Sequence, residues 1–478
     1  MRAFMRPLQN STRRPLILLL FTLSSATLSL AQAAAPSVFE GQLDNGMRVL
    51  VQEDHRAPVV TSQVWYRVGS SDEPGGMTGI SHMLEHMMFK GTQTLAPGKF
   101  SEIIAEHGGQ ENAFTSRDYT AYFQTLAREH LDVAMRLEAD RMRNLNLRAE
   151  DLAKEAEVVK EERRMRTDDN PNAKLMEQFQ AMAYLNGGYH HPVIGWMDDI
   201  NQYDIQKLRD WYMAHYAPNN ATLVVVGDVT PAEVMRLAQK HFGALKPFKL
   251  KTRSFPDAVE QTGERRMSLR APAKLPLLVM GYRVPSLLSA EKDKDANPWE
   301  PYALEVLAGV LDGGQSARLS KNLVRGEQLA GEVSVGYSLD SRLSDLFTIY
   351  AVPSNQVEPA KLEQAIRREI AQLRETLVSA DELARVKAQV IAADVYGRDS
   401  VFYQAMRLGS YEAAGLGHAR LKDLIPRIEA VTAEQVQAVA QKYLLDDRLT
   451  VGVLDPLPMT SAQALPPAAY SQGVTHVR

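Results

Sequence analysis

Residues 79–92 read GISHMLEHMMFKGT, a short apolar helix pattern with a glycine near each end. Helical periodicity places His82 and His86 one turn apart on one face, with Glu85 beside them. Two neutral imidazoles at this spacing can bind one zinc ion, and the carboxylate can accept a proton from a water that the metal activates. The alternative is an amphipathic core helix that carries two histidines by coincidence. Chance gives this motif only about 0.02 times in such a chain, which favours a metal site that still needs a third ligand.

The composition is that of a globular protein. The chain has 478 residues, of which 45% are hydrophobic and 23% charged, and this length predicts two or more domains. A net charge of −4 without a basic run beyond the N-terminus predicts no nucleic-acid partner. Because the chain has no cysteine, a metal site must use histidine and carboxylate ligands.

The N-terminus has the pattern of an export signal. Four arginines between positions 2 and 14 precede an apolar run over residues 15–30, and Ala31-Gln32-Ala33 has the small-x-small order of a cleavage site. The unbroken apolar part is short for a membrane span of about 20 residues. We therefore predict a cleaved signal peptide over residues 1–33, no stable membrane anchor and a periplasmic location. Thr12-Arg13-Arg14 weakly resembles a twin-arginine signal, although general secretion is the favoured route.

A second helix, predicted from Arg148 to about Arg166, offers the missing ligand. Glu155 and Glu162 are seven residues apart and so share one helix face. The alternative is that they only solvate a charged surface, since the same helix carries further glutamates.

The chain divides near its middle. Residues 246–264 mix Pro, Lys, Thr and Gly without periodicity, as interdomain linkers do. The helix, turn and strand predicted over residues 432–454 repeat those of 204–226, which indicates duplicated halves. We predict a catalytic domain over 34–245, a linker over 246–264, a second domain over 265–458 and a loose tail over 459–478.

From about residue 38 to 456 the chain resembles the pitrilysin/insulysin family of metallopeptidases, which includes the mitochondrial processing peptidases. The strongest elements are HMLEH at 82–86, the inverted order of the zincin motif, and EAEVVKEE at 155–162. The resemblance implies an α+β fold of two homologous α/β-roll halves, each a mostly antiparallel sheet packed with helices, that form a clamshell. It also implies an exported endopeptidase with one Zn²⁺ per chain.

The family pattern implies roles for the residues that match it. Glu162 would be the third zinc ligand beside His82 and His86, and Glu155 a supporting carboxylate of the catalytic site. Glu85 would act as general base toward water, whose pKa the metal lowers toward about 7, and then pass the proton to the leaving amine.

In this family an extended peptide adds a strand to a sheet edge near the metal. Residues 112–115, Asn-Ala-Phe-Thr, resemble that edge, which predicts substrate contacts at Asn112, Ala113 and Phe114. The alternative is an ordinary hairpin.

The second half has no H-x-x-E-H motif. Residues 313–319, GGQSARL, resemble the family's Gly-Gly-x-x-Ser-Arg-Leu turn, and Arg325 matches an arginine that supports substrate carbonyls. The tyrosine that follows that arginine by six or seven residues in the family is absent, because Gly331 and Glu332 occupy those positions. We therefore expect a heterodimer with a sister subunit that supplies the Arg and Tyr, or otherwise a homodimer.

Two other functions compete with peptide hydrolysis. A non-catalytic or weakly catalytic assembly subunit on the same fold is one, although the complete set of His82, Glu85, His86 and Glu162 argues against it. A metal-dependent hydrolase of another substrate is the second, and the edge at 112–115 disfavours it.

Overall fold

The computed structural model describes residues 37–250, 253, 255 and 259–459. The predicted signal peptide, part of the predicted linker and nearly all of the predicted tail lie outside these residues. Among the described residues, no helix has both the length and the apolar character that crossing a membrane requires.

The strands and helices alternate along the chain. The strands are β1 (Val38–Gln42), β2 (Arg48–Glu53), β3 (Val59–Tyr66), β4 (Gln110–Thr115), β5 (Thr120–Ala127), β6 (Ala221–Gly227), β7 (Arg265–Pro272), β8 (Leu277–Val284), β9 (Ala330–Gly336), β10 (Asp345–Pro353) and β11 (Leu449–Leu457). The helices are α1 (Ile80–Met87), α2 (Lys99–Glu106), α3 (Leu131–Asn144), α4 (Ala149–Arg163), α5 (Pro171–Ala183), α6 (Met197–Ile200), α7 (Ile205–His215), α8 (Pro231–Phe242), α9 (Leu287–Lys292), α10 (Glu300–Asp312), α11 (Pro359–Glu375), α12 (Ala380–Gly397), α13 (Val401–Ala414), α14 (Leu421–Ala430) and α15 (Ala433–Tyr443).

The strands form a six-stranded and a five-stranded sheet, and apart from β1 the two sheets have the same strand arrangement. The first has the order β1-β2-β6-β3-β5-β4 and the second the order β7-β11-β8-β10-β9. Strand β6 runs parallel to β2 and antiparallel to β3, and β11 runs parallel to β7 and antiparallel to β8. The predicted α+β class with two homologous halves, each built on a mostly antiparallel sheet, is therefore confirmed.

The two halves exchange one helix each. Helix α5 of the first half packs on the second sheet, where Phe179 and Leu175 join Val279 and Leu454 in one apolar cluster. Helix α13 of the second half packs on the first sheet, where Leu408 and its neighbours meet Trp65. Packing therefore crosses the predicted linker in both directions, and the domain boundaries stay a prediction.

The contact of α13 with the first sheet is close. A Cβ atom built on Gly409 would lie 2.0 Å from the ring of Trp65, which is itself fully buried. Only glycine leaves room for the indole at this point of α13, so the exchanged helix has a fixed position on the sheet.

Candidate metal centre

Helix α1 carries the H-x-x-E-H motif and is buried over its whole length. It begins at Gly79, whose φ of 84° lies in the left-handed region that favours glycine. A Cβ atom at this position would lie 2.4 Å from the Ile194 carbonyl oxygen and 2.5 Å from the Tyr203 hydroxyl. The first turn of the metal helix is therefore fixed by close packing against the loop before α6.

The Glu73 carboxylate caps the N-terminus of α1. The backbone N–H groups of Gly79 and Ser81 donate to its two oxygens at 2.7 and 2.8 Å. These bonds satisfy amide groups that a helix leaves without partners in its first turn. Burial raises the pKa of Glu73 to about 8, although the two amide bonds oppose the shift.

The three predicted ligands lie together between α1 and α4. Oε2 of Glu162 is 3.8 Å from Nε2 of His82 and 3.3 Å from Nε2 of His86. One donor atom from each of the three residues lies within 4.8 Å of the other two, and all three residues are buried. Tetrahedral zinc with bonds of about 2.1 Å places its ligand atoms about 3.4 Å apart, so the separations fit one zinc ion. Among the described residues, no other three His, Cys, Asp or Glu side chains meet in this way.

The charges of the three groups also fit a cation. Burial alone raises the pKa of Glu162, but the hydrogen bond with His86 and the neighbouring imidazole charges lower it to about 2. Burial alone lowers the pKa of His86, but Glu155 and Glu162 raise it to about 9. The carboxylates thus favour positive charge at the imidazole, which is what a bound metal ion provides.

A second set of contacts orients these ligands. Glu155 bridges His86 Nδ1 at 3.0 Å and Lys90 Nζ at 2.5 Å. Arg166 lies in a π-helical turn (Arg164–Asp168) that continues α4, and its Nη1 is 3.0 Å from Oε1 of Glu162. Both cations were missed by the sequence reasoning. A signal was present, since each cation lies four residues after a predicted ligand: Arg166 follows Glu162 on the continuation of α4, and Lys90 follows His86 just beyond the end of α1.

Helix α4 is tied to its surroundings by one buried arginine. Arg163 makes two hydrogen bonds to Glu177 of α5, at 2.7 and 2.8 Å, and donates to the Gly195 carbonyl at 2.9 Å. The same loop packs against Gly79, so the start of α1 and the end of α4 meet at one place.

Glu85 lies on the sheet side of α1. The Thr115 hydroxyl donates to Oε2 of Glu85 at 2.6 Å, and both side chains are buried. Thr115 is the last residue of β4, so the strand and the motif helix meet at the predicted general base. This hydroxyl is the second kind of contact that the sequence reasoning missed.

Strand β4 is an edge of the first sheet, as the resemblance to a peptide-binding edge requires. The Asn112 side chain accepts a hydrogen bond from the Ala113 N–H at 2.8 Å. The side chains of Ala113 and Phe114 point into the core, where Phe114 meets Trp65 edge to face at 5.4 Å between ring centroids. The contacts that these two residues can offer a substrate therefore come from their main chain.

Arg325 lies apart from this group, in a π-helical turn (Ser320–Gly326) of the second half. Its guanidinium donates to the Gln315 carbonyl in the preceding glycine-rich turn. Tyr337 is the next tyrosine along the chain, and its hydroxyl already donates to the Pro285 carbonyl at 2.6 Å.

Comparisons with known proteins agree with this geometry. Residues 48–195 match the family described as Insulinase (Peptidase family M16), and residues 202–390 match the Peptidase M16 inactive domain. A relative named zinc protease PqqE, from Helicobacter pylori, is 34% identical over 363 residues, which are 75% of this chain and 79% of the relative.

Solved structures share the fold. A protease from Helicobacter pylori has a TM-score of 0.82 at 30% identity and covers 88% of this chain and 100% of its own. The periplasmic protease PqqL from Escherichia coli has a TM-score of 0.74 at 20% identity and covers 93% of this chain and 52% of its own. These matches to both halves of the chain show that it belongs to the pitrilysin/insulysin family, peptidase family M16.

Proposed function

We propose that this chain is an exported zinc endopeptidase that hydrolyses peptides or unfolded segments, with one zinc ion held by His82, His86 and Glu162. The observation that supports this most is the convergence of these three buried donors beside Glu85, which its own hydrogen bond holds in place. When bound, zinc would supply a Lewis acid that lowers the pKa of water and polarises a peptide carbonyl.

The side chains of the chain would perform the remaining steps. Glu85 accepts a proton from the attacking water and delivers it to the leaving amine, as a general base and then a general acid. Glu155 holds His86 in the orientation that presents Nε2 to the metal. The edge of β4 aligns the substrate as an added strand, with main-chain hydrogen bonds that do not depend on its side chains.

The test compares wild type with Glu85→Gln on a quenched peptide, with and without a chelator and with zinc added back. We expect chelation to abolish cleavage, zinc to restore it, and the variant to bind zinc without cleaving. Cleavage by Glu85→Gln at the wild-type rate would exclude the mechanism.

Partner and location form part of the proposal. The absent tyrosine after Arg325 supports a heterodimer with a sister subunit, and a homodimer is the alternative. The signal pattern over residues 1–33 and the likeness of fold to a periplasmic protease support export. Co-purification with no second chain, together with full activity of the isolated chain, would contradict the heterodimer.

The competing function is a non-catalytic assembly subunit. The match of the second half to an inactive peptidase domain is the observation that favours it. The same chelator and Glu85→Gln measurements, made on the isolated chain and on the chain together with any second chain that co-purifies with it, decide between the two functions, because a scaffold would show no zinc-dependent cleavage that Glu85→Gln abolishes in either preparation.

A further inference from the structure

We propose that Thr115 is a positioning residue for Glu85, and that the second half of the chain holds the turn that carries Thr115. The proposal rests on the proposed function, because it assigns Glu85 as the general base. It gives the half without an H-x-x-E-H motif a direct part in the geometry of the metal centre.

The first step is the hydrogen bond itself. Thr115 Oγ1 lies 2.6 Å from Glu85 Oε2, with Thr115 4% and Glu85 7% exposed. Hydrogen bonds to a charged group in a buried place are strong and short. A donor on one carboxylate oxygen fixes the rotation of the carboxylate plane, and so fixes the direction of the second oxygen. General-base catalysis depends on that direction, because the proton must be within hydrogen-bond reach.

The second step is the origin of the hydroxyl's position. Thr115 ends β4 and pairs with Thr120, the first residue of β5. The turn between them is closed by the Ser116 N–H, which donates to the Tyr119 carbonyl at 2.8 Å. Any shift of this turn would move the Thr115 hydroxyl relative to Glu85.

The third step is what holds the turn. The backbone N–H of Arg342 donates to the Asp118 carboxylate at 3.0 Å, and its guanidinium donates to the Asp118 carbonyl. Asp345 accepts two hydrogen bonds from Arg117, at 2.9 and 3.2 Å. Arg117 and Asp118 of this turn are therefore both bound by residues of the second half.

The network is closed by two tyrosines, and three of its four charged members are buried. The Tyr189 hydroxyl donates to Asp118 at 2.5 Å and the Tyr184 hydroxyl to Asp345 at 3.0 Å. Asp118, Arg342 and Asp345 are each 5 to 6% exposed. Buried ion pairs of this kind gain little stability over apolar residues, but they do fix one arrangement when each partner is hydrogen-bonded.

The main experiment compares Thr115→Val with Thr115→Ser and with the control Thr125→Val. Thr125 is a partly buried threonine at the far end of the same hairpin, and its hydroxyl is hydrogen-bonded to the Thr61 hydroxyl at 3.0 Å. We expect Thr115→Val to lower kcat by about 10- to 100-fold at unchanged KM and full zinc content. Thr115→Ser should retain most of the wild-type rate, and Thr125→Val should keep the wild-type kcat.

A second readout does not depend on activity. The melting temperatures of Thr115→Val, Glu85→Ala and the double variant are measured with the metal removed by chelator. We expect the shift caused by Thr115→Val to shrink strongly in the Glu85→Ala background, because the partner of the hydroxyl is already gone. Additive shifts would overturn the Thr115 assignment even if the wild type proved inactive. Wild-type kcat in Thr115→Val would overturn it while leaving the proposed function intact.

The part played by the second half has its own test. Arg342→Ala is expected to lower kcat in the wild-type background and to add little in the Thr115→Val background. Both changes act by removing the constraint on the Glu85 carboxylate. Independent, multiplying losses of kcat would show that Arg342 does not act through Thr115.

Discussion

At the scale of single residues, two of the three predicted metal ligands, His86 and Glu162, are each held by a partner of opposite charge. Glu155 lies between Lys90 and His86, and Arg166 holds the outer oxygen of Glu162. Such partners fix the direction of a ligand's lone pair, which explains why a helix face carries two functional glutamates rather than one.

Replacing Glu155 with Gln should weaken zinc binding by about 10- to 100-fold, because the amide neither attracts the His86 proton nor balances Lys90 as a carboxylate does. Zinc affinity would be measured by competition with a chromophoric chelator. Glu157→Gln is the matched control, since Glu157 lies on the same helix but its side chain is 66% exposed and pairs with Lys160. Equal affinities of the two variants would contradict the role of Glu155.

At the scale of elements, contacts at the N-terminus of α1 position this helix as much as the packing of its buried faces does. The Glu73 cap and the tight approach of Gly79 to the loop before α6 set where the helix begins, and therefore where His82 lies one turn later.

Glu73 predicts a pH dependence of stability. Its pKa is about 8 in the folded protein against 4.5 for an ordinary glutamate, so the folded state holds the proton more tightly. The contribution of this proton to the free energy of unfolding is fully present below about pH 4.5. It is lost as the pH rises to about 8, and the free energy of unfolding falls by about 1.4 kcal/mol per pH unit in that range. Between about pH 5 and 8, wild type should lose more unfolding free energy than Glu73→Gln, as measured by urea unfolding. Parallel curves for the two proteins would refute the assignment.

Glycine 409 tests the packing of α13. Gly409→Ala would place a methyl carbon 2.0 Å from the ring of Trp65, closer than two carbon atoms can approach. The substitution should therefore destabilise the protein by about 1–3 kcal/mol through overpacking. The alanine would otherwise favour the helix, so thermal unfolding gives a clear sign. Gly409→Ala combined with a smaller side chain at position 65 should recover part of the loss, whereas an unchanged melting temperature in Gly409→Ala would contradict the close contact.

Sequence periodicity could predict α1, α4 and their shared ligand face, because i, i+4 and i, i+7 spacings translate directly into positions on a helix. It could also predict the duplicated halves. The Thr115 hydroxyl and the Glu73 cap could not be predicted in this way, because those contacts join segments whose relative position depends on tertiary packing. Ala113 and Phe114 show the same limit: the edge strand was predicted, but not that both of its faces are covered, so that Ala113 is buried in one apolar cluster and Phe114 in another.

At the scale of the whole molecule, the exchange of α5 and α13 joins the two sheets through buried apolar contacts. Leu175 and Phe179 are buried on the second sheet, and Ala405 and Leu408 on the first. The buried network of Arg117, Asp118, Arg342 and Asp345 adds polar contacts between the same two halves.

Cutting the chain between Leu250 and Val259 should therefore leave the halves together. A protease site inserted there and cleaved after folding is expected to give two fragments that co-elute at the size of the intact chain and unfold in one transition. Size-exclusion chromatography and calorimetry would measure this. Two separate transitions, or fragments that elute apart, would show that the exchanged helices do not hold the halves.

The exchanged helices also bear on how such a chain can change over evolutionary time. If the halves arose by duplication, each came to depend on the other for one layer of its own core. A mutation of a metal ligand in one half leaves both exchanged helices in place, but a deletion of a half would strip a helix from the half that remains. The half without the H-x-x-E-H motif therefore completes the core of the other half, whatever becomes of its chemistry.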